Sequence, residues 1–219
     1  MKNYGYADMS EKEKLSKEQV LEFWKNPIND NTNKNENNDP EHYLSGEKRS
    51  RYLVELIKRH LHKEAKILEI GCNVGRNLHY LYETGYNNLN GIEINDNAVQ
   101  VMHKNYPELY GSVGIYNCPV ESIITSFSDE AYDLVFTMAV LEHIHYESDF
   151  IFSEIARVAK RCIITIEDEK TTWSNRHFPR NYKEVFEKIG NWVQIYDMNC
   201  GGINILDDRF WVRVFKKNV

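Results

Sequence analysis

The sequence lacks long apolar runs and has few cysteines. No stretch approaches the roughly 18 consecutive apolar residues of a membrane-spanning helix, and its start, MKNYGY, lacks the apolar core of a secretion signal. The four cysteines (Cys72, Cys118, Cys162 and Cys200) form no Cys-x-x-Cys pair and have no adjacent histidine at metal-ligand spacing. We therefore expect a cytoplasmic protein without a membrane segment, with reduced and mostly buried thiols.

A strong excess of positive charge is also lacking. The chain has 27 Lys and Arg against 33 Asp and Glu, which gives a formal charge of −6 and a pI near 5.8. Non-specific binding to a phosphate backbone usually needs a strongly basic face, so the balance argues against nucleic acid as a partner, although local basic patches stay open. The 219 residues, 42% of them hydrophobic, suffice for one large domain with a continuous core.

The first 44 residues are interpreted as an N-terminal extension to a domain at 45–219. Ser10 and Glu13 form a capping-box pattern, and the apolar residues that follow have roughly helical spacing, which predicts an amphipathic helix from Ser10 to Asn26. Residues 28–40 consist mainly of Asn, Asp, Lys and Glu. Because they bury almost nothing to offset their ordering entropy, we expect a mobile linker or a lid that orders.

Beyond residue 45 a helix to about residue 61 precedes an alternation of short apolar runs and helical patterns. Five runs predict strands, at 66–70, 89–94, 113–116, 132–138 and 162–166. Helical patterns separate most of them, at 76–83, 96–105 and 147–159, with a short turn near 120–125. Two final β-like runs, 192–198 and 210–216, are joined through Gly201-Gly202 without a helix and predict an antiparallel edge pair. The expected fold is an α/β three-layer sandwich with a seven-stranded, mostly parallel sheet.

The segment ILEIGCNVGRN, residues 67–77, leads from a buried strand through two glycines into a helix. Glycine permits positive φ and removes the Cβ that would keep a ligand from the turn, and the helix start offers free N–H groups to an anion. Asn73 is a residue type that tolerates left-handed geometry. A dinucleotide fingerprint starting at Gly71 would need glycine where Asn73 and Arg76 stand, which counts against an NAD-binding oxidoreductase.

This segment resembles motif I of the class I methyltransferases, (D/E)-x-G-x-G-x-G, with Glu69, Gly71 and Gly75 matching and Asn73 in place of the middle glycine. Glu93 ends the second strand 22 residues after Gly71, close to the roughly 20-residue spacing of an acidic residue that binds ribose. The run YDLVFTMAVLEHI, residues 132–144, resembles the fourth strand of that family and its following loop. The resemblance covers roughly residues 53–166.

The resemblance implies S-adenosyl-L-methionine as cofactor and S-adenosyl-L-homocysteine as product. It puts Glu69 near the amino group of the methionine moiety, Glu93 on the ribose hydroxyls and Ile94 against adenine. Residues 117–121 resemble the segment that reads the adenine edge, although Pro119-Val120-Glu121 replaces the Asp-Ala-Glu of many relatives. The predicted cofactor-binding residues are Glu69, Gly71, Cys72, Asn73, Gly75, Asn77, Glu93, Ile94, Asn95, Val120, Glu121 and Met138.

Methyl transfer from a sulfonium chiefly requires alignment of nucleophile, methyl and sulfur, and a protic acceptor also needs a base. His143 and His145, after the fourth strand, are the candidate catalytic residues, although relatives often carry a packing histidine at position 143. His177 and Arg180, in the insert at 173–182, are candidate substrate-binding residues. For Arg180 a surface salt bridge is the alternative.

The acidic cluster Glu167, Asp168 and Glu169 suggests the divalent metal of catechol-type methyltransferases, but the rest of their ligand set is missing, so we expect no metal. Early aromatic residues (Tyr4, Tyr6, Trp24 and Tyr43) suit either a lid or a packed helix face. We expect methylation of a small-molecule acceptor on oxygen or nitrogen. An RNA or protein methyltransferase, an NAD-binding oxidoreductase and a non-catalytic cofactor-binding protein are the alternatives; oligomeric state and acceptor stay open.

Overall fold

The computed structural model describes residues 14–27 and 38–218, and within them seven strands form one sheet. The strands are β1 (Ile67–Ile70), β2 (Leu89–Glu93), β3 (Gly114–Asn117), β4 (Tyr132–Met138), β5 (Ala159–Asp168), β6 (Trp192–Asn199) and β7 (Phe210–Lys217). Their order in the sheet is β3-β2-β1-β4-β5-β7-β6. Strands β1 to β5 pair in parallel, and β7 runs antiparallel to both β5 and β6. The predicted seven-stranded, mostly parallel sheet is confirmed.

Helices cover the sheet. They are α1 (Lys17–Lys25), α2 (Glu47–Lys58), α3 (Arg76–Glu83), α4 (Asp96–Asn105), α5 (Pro107–Tyr110), α6 (Val120–Ile123), α7 (Phe150–Val158), α8 (Tyr182–Lys188) and α9 (Cys200–Ile203). None of the helices in the described ranges is long and apolar enough to cross a membrane.

Successive residues of β1 point to opposite faces of the sheet and belong to two separate buried clusters. Ile67 packs in the cluster that includes Leu53 and Ile57 of α2. Leu68 packs in the cluster that includes Ile151 and Ile155 of α7. Because both faces are covered, β1, β4 and β5 are mostly buried and rich in apolar residues.

The N-terminal helix begins later than the sequence suggested. Ser16 is its N-cap: the Ser16 hydroxyl accepts from the Gln19 N–H at 3.3 Å, and the Gln19 side chain accepts from the Ser16 N–H at 2.9 Å. Because this capping box starts α1 at Lys17, residues 14–16 are not helical. The Ser10–Glu13 pair, Tyr4, Tyr6 and residues 28–37 of the predicted linker lie outside the described residues, whereas Pro40–Leu44 form a 3₁₀ helix.

The predicted antiparallel pair of C-terminal strands is confirmed: β7 pairs with β5 and with the edge strand β6. The C-terminal region differs from the prediction in one respect. The β6–β7 connection contains α9, where no helix was expected. The Asn199 side chain caps α9 by accepting from the Gly201 N–H at 3.1 Å, and Asn204 ends it at φ 53°. Side-chain capping thus stabilises a turn of helix despite two glycines.

Candidate active site

A cavity of about 380 Å³ opens at the carboxyl ends of the parallel strands. Since the sheet order places β3, β2 and β1 on one side and β4 and β5 on the other, the cavity has two ends. The loops after β1, β2 and β3 line the first end. The second end is lined by the loop after β4, by the loop after β5 and by α1. Such a crevice is the usual ligand site of open α/β sheets.

The loop after β1 is held in left-handed conformations. Gly71, Asn73 and Gly75 have φ of 70°, 47° and 71°. A Cβ on Gly71 would lie 2.4 Å from a methyl carbon of Val140, and one on Gly75 would lie 2.8 Å from Cγ of Met102. Both glycines are therefore required by backbone conformation and by close packing.

Glu69 lies at the end of β1 and is almost fully buried, with 1% exposure. Its Oε1 accepts a 2.7 Å hydrogen bond from the Asn77 amide, whereas Oε2 has no hydrogen-bond partner within the described ranges. Burial raises the pKa of Glu69 to about 8. A buried carboxyl oxygen in a cavity wall without a donor is a site suited to a ligand cation or N–H group.

Glu93, at the end of β2, fixes the neighbouring loop. Its Oε2 accepts from the Asn73 N–H at 2.7 Å and its Oε1 from the Asn95 N–H at 2.8 Å. Burial raises its pKa, although these backbone hydrogen bonds act in the opposite direction. Each carboxylate oxygen keeps a second lone pair, so Glu93 can still accept hydrogen bonds from two ligand hydroxyls.

Most of the predicted cofactor-binding residues do line the cavity. These are Glu69, Gly71, Cys72, Asn73, Asn77, Glu93, Ile94, Val120, Glu121 and Met138. Gly75 and Asn95 do not line it. Gly75 precedes α3 and packs on Met102. The Asn95 side chain caps α4 by accepting from the N–H groups of Asn97 and Ala98 at 2.9 and 3.3 Å. These contacts favour a structural role for Asn95.

At the second end His143 lies between two aromatic rings. Its ring centroid is 4.3 Å from that of Trp24 and 4.6 Å from that of His177. Its Nδ1 is 3.2 Å from the carbonyl oxygen of Arg176. Because a carbonyl only accepts, we infer that Nδ1 carries the proton and that Nε2 has the free lone pair. Burial lowers the pKa of His143 well below its usual value, which keeps the imidazole neutral.

His145 and His177 also line the cavity. The Nδ1 of His145 accepts from the Glu147 N–H at 3.1 Å, so in the neutral ring the proton is on Nε2. Burial lowers the pKa of His177 to about 4. The structure thus brings together the two candidate catalytic histidines and one of the two candidate substrate-binding residues.

Arg180 lies away from the cavity lining. Its guanidinium donates to the carbonyl oxygens of Ile144 and Phe178 at 2.9 and 2.7 Å and pairs with Asp149 at 2.5 Å. It also stacks between Tyr146 and Phe152, with centroid distances of 4.7 and 4.9 Å. These contacts occupy the guanidinium, which favours a structural role over the predicted substrate contact.

The acidic residues at the end of β5 are engaged by protein groups. Glu167 accepts from the N–H groups of Val140 and Leu141 at 2.9 and 2.8 Å. Asp168 accepts from the N–H groups of the turn that follows it, and Glu169 forms a buried ion pair with Arg213 at 2.6 Å. These contacts give the cluster a structural explanation.

The sequence named Trp24 of α1 as a candidate lid residue, but the predicted site did not include the other lining residues of α1 or Glu142. Lys17, Val20, Leu21 and Trp24 line the cavity and follow the i, i+3, i+4, i+7 spacing of one helix face. The spacing of this stripe is visible in the sequence, but the cavity that the stripe lines is not. Glu142 also lines the cavity at 1% exposure, and its Oε2 accepts from the Asp168 N–H at 3.4 Å.

Lys14 attaches α1 to the rest of the domain. Its ammonium group donates to the carbonyl oxygens of Thr172, Ser174 and His177 at 2.8, 2.6 and 2.9 Å. The Leu15 N–H donates to the Asn175 carbonyl at 2.9 Å. The helix and the loop after β5 are therefore held together as one wall of the cavity.

Comparison with known proteins agrees with this geometry. Residues 68–162 match the family model described as a methyltransferase domain. Magnesium protoporphyrin IX methyltransferase (ChlM) from Synechocystis PCC 6803, solved with bound SAH, has a TM-score of 0.69 at 13% identity over 93% of this chain and 100% of that chain. No curated protein sequence matches the chain.

Two further solved structures share the fold. The 1,6-didemethyltoxoflavin-N1-methyltransferase from Burkholderia thailandensis has a TM-score of 0.64 at 12% identity, covering 93% of this chain and 87% of that chain. Geranyl diphosphate C-methyltransferase from Streptomyces coelicolor A3(2) has a TM-score of 0.63 at 14% identity, covering 93% and 98%. Residues 68–162 thus match a methyltransferase-domain model, and the chain shares the fold of these three methyltransferases.

Proposed function

We propose that this protein is a class I S-adenosylmethionine-dependent methyltransferase that transfers the methyl group to an oxygen or nitrogen of a small-molecule acceptor. The observation that carries the proposal is the wall formed by α1, whose Leu21 and Trp24 cover the second end of the cavity beside His143. An acceptor must fit beneath this helix, which disfavours a folded protein or RNA substrate. The three solved structures above bear the names of methyltransferases of a porphyrin, a toxoflavin precursor and geranyl diphosphate, all small molecules.

The first end of the cavity suits the cofactor. The unpartnered Oε2 of Glu69 can accept from the amino group of the methionine moiety. The remaining lone pairs of Glu93 can accept from the ribose hydroxyls, and Ile94 and Val120 offer apolar contact to adenine. Glycine at position 71 lets the loop that lines this end adopt its left-handed conformation and pack against Val140. Bound there, S-adenosylmethionine supplies an electrophilic methyl group, and the protein supplies alignment.

We assign the role of general base to His143 rather than His145. A base needs a free lone pair within reach of the acceptor proton. In the inferred tautomers this lone pair is on Nε2 of His143, whereas the free nitrogen of His145 is protonated. His143 would then accept the proton that an O–H or N–H acceptor loses, and its buried surroundings exclude water. Trp24 and His177, in contact with its ring, would fix its orientation.

Calorimetric titration with S-adenosylhomocysteine and, in parallel, with NAD tests the cofactor part of the proposal. We expect saturable binding of S-adenosylhomocysteine alone. Binding of NAD alone would indicate hydride chemistry and refute the proposal.

The acceptor part is tested by transfer of a labelled methyl group to pooled small molecules, with RNA and protein as parallel substrates. We expect label only in the small-molecule fraction. His143→Phe should abolish transfer and leave S-adenosylhomocysteine affinity within about twofold, while the matched His145→Phe should keep most of the activity. Label in RNA or protein alone would refute the small-molecule assignment, and binding without any transfer would favour a non-catalytic protein.

A further inference from the structure

Glu142 is an acidic side chain in the cavity wall to which the proposed reaction gives no role. Its side chain is 2% exposed, and its Oε1 lies 3.9 Å from Nε2 of His143, the nitrogen assigned as the base. Its Oε2 accepts from the Asp168 N–H at 3.4 Å, so Oε1 is the oxygen on the side of the imidazole. A carboxyl group therefore lies beside the lone pair that takes the proton.

The backbone holds the two side chains in this arrangement. Both belong to a 3₁₀ turn, Leu141–His143, that follows β4. The Phe178 N–H donates to the Glu142 carbonyl oxygen at 2.6 Å, and the Arg176 carbonyl oxygen is 3.2 Å from Nδ1 of His143. The loop after β5 thus fixes both members of the pair. A separation of 3.9 Å is too long for a hydrogen bond, but a small tilt of the ring closes it, and catalytic contacts often tighten when ligands bind.

The buried surroundings favour the uncharged form of each group. Burial, followed by the charge of Glu167, raises the pKa of Glu142 well above its usual value, and burial lowers the pKa of His143. An imidazole with a lowered pKa is a weak base, so a proton that it takes from an acceptor is poorly held. Ionised Glu142 is the stronger base of the two and lies next to it.

Other groups face this pair from β5, from the loop after it and from α8. Those facing Glu142 are Glu167, Asp168 and Tyr182, and those facing His143 are Arg176 and His177. Burial raises the pKa of Tyr182 well above its usual value and lowers that of His177 to about 4, while an arginine stays charged. The N–H groups of Val140 and Leu141 favour the ionised form of Glu167. A titration near neutral pH is therefore assigned to Glu142.

We propose that Glu142 is a positioning residue that acts through His143: its carboxylate balances the charge of the imidazolium and then takes the proton. The inference rests on the proposed role of His143 as base. The acceptor atom bonds to the methyl carbon as the methyl–sulfur bond breaks and its electron pair goes to sulfur. The acceptor proton moves to Nε2 of His143, then to Oε1 of Glu142, and leaves for solvent before the next turnover. Protonated Glu142 cannot serve, because its O–H can donate to the same Nε2 lone pair.

The pH dependence of kcat in wild type and Glu142→Gln tests this role, with the small molecule labelled in the transfer assay as acceptor. Saturating cofactor and acceptor remove the contribution of Glu69 to binding. Wild-type kcat should rise about tenfold or more from pH 6 to 9, as Glu142 ionises. Glutamine mimics the protonated acid, so Glu142→Gln should lack this rise and be slower at pH 9 by about tenfold or more. Urea unfolding of the same variant separates lost turnover from lost folding.

Glu147→Gln is the matched control, because Glu147 is an exposed acid in the same loop after β4. It should keep the wild-type pH profile. A second measurement needs no acceptor: the imidazole nitrogen resonances of His143, assigned by their absence in His143→Phe. In the free wild-type protein they should shift between pH 6 and 9, although His143 itself stays neutral, because the neighbouring carboxyl ionises. Glu142→Gln should abolish this shift.

A wild-type pH profile that persists in Glu142→Gln would overturn the role of Glu142 and leave the proposed function intact. Imidazole resonances that do not respond to pH in the wild-type protein would do the same. If no acceptor is methylated, the proposed function fails, and the resonance titration alone decides whether Glu142 is coupled to His143.

Discussion

The side-chain amide of Asn77 donates a 2.7 Å hydrogen bond to Oε1 of Glu69 and leaves Oε2 of the same carboxyl without a hydrogen-bond partner among the described residues. One half of the group is thus fixed by α3, and the other half is left for a ligand. Because burial raises the pKa of Glu69 to about 8, the free protein holds this carboxyl mostly protonated at pH 7.

Binding of S-adenosylhomocysteine should therefore release a proton from Glu69. An ammonium group beside the carboxyl favours its ionised form and lowers its pKa, so affinity should rise as the pH increases from 6 to 8. Calorimetry in buffers of different ionisation enthalpy measures the release directly. Glu69→Gln should abolish both the release and this pH dependence. An observed enthalpy that is the same in every buffer would contradict the role assigned to Glu69.

Glu93→Ala should weaken S-adenosylhomocysteine binding by more than about 1 kcal/mol, since it removes charge-assisted hydrogen bonds to the ribose. It also removes the acceptor for the N–H groups of Asn73 and Asn95, which should loosen the loop after β1. Glu93→Gln keeps one oxygen acceptor and should lose less. The exposed Glu108, replaced by Ala, is the control. Unchanged affinity in Glu93→Ala would eliminate the ribose contact.

Local signals in the sequence were enough for the elements around the cofactor end. The bounds of α3 and α4 were predicted because Gly75 and Asn95 interrupt the chain just before them, one with a left-handed φ and the other with a capping side chain. The loop that lines the first end of the cavity was identified by the same glycine pattern.

The second end of the cavity is formed by contacts between segments distant in the sequence, so local sequence signals do not predict it. The apolar stripe of α1 was visible, but nothing local indicates that Trp24 lies against His143. Arg180 is the opposite case. Its position in a polar insert suggested contact with a ligand, but its guanidinium donates to the carbonyl oxygens of Ile144 and Phe178.

Glu142→Gln should raise the free energy of unfolding relative to wild type, increasingly at alkaline pH. Burial, followed by the charge of Glu167, raises the pKa of Glu142 well above its usual value. An unfolded glutamic acid ionises near pH 4.3, so above that pH the folded state binds more protons and stability falls as pH rises. Glutamine fills the same space and cannot ionise.

We expect a gain of about 1 kcal/mol for this variant at pH 8, measured by urea unfolding between pH 5 and 9. Glu83→Gln, at an exposed position of α3, should show no such pH-dependent difference from wild type. Glu167→Leu should instead destabilise, because Glu167 accepts from the N–H groups of Val140 and Leu141. Parallel pH curves for wild type and Glu142→Gln would show that Glu142 ionises normally.

Lys14→Met should loosen α1 without unfolding the domain. The ammonium group of Lys14 donates to the carbonyl oxygens of Thr172, Ser174 and His177, and methionine keeps the apolar stem while removing all three donors. Loss of charged hydrogen bonds of this kind costs about 1–3 kcal/mol. The loss should appear as faster hydrogen exchange in α1, whose amides are protected only while the helix is docked.

Lys25→Met, on an exposed position at the end of the same helix, should leave exchange unchanged. Equal protection in both variants would mean that packing of Trp24 and Phe23, rather than Lys14, holds the helix over the cavity.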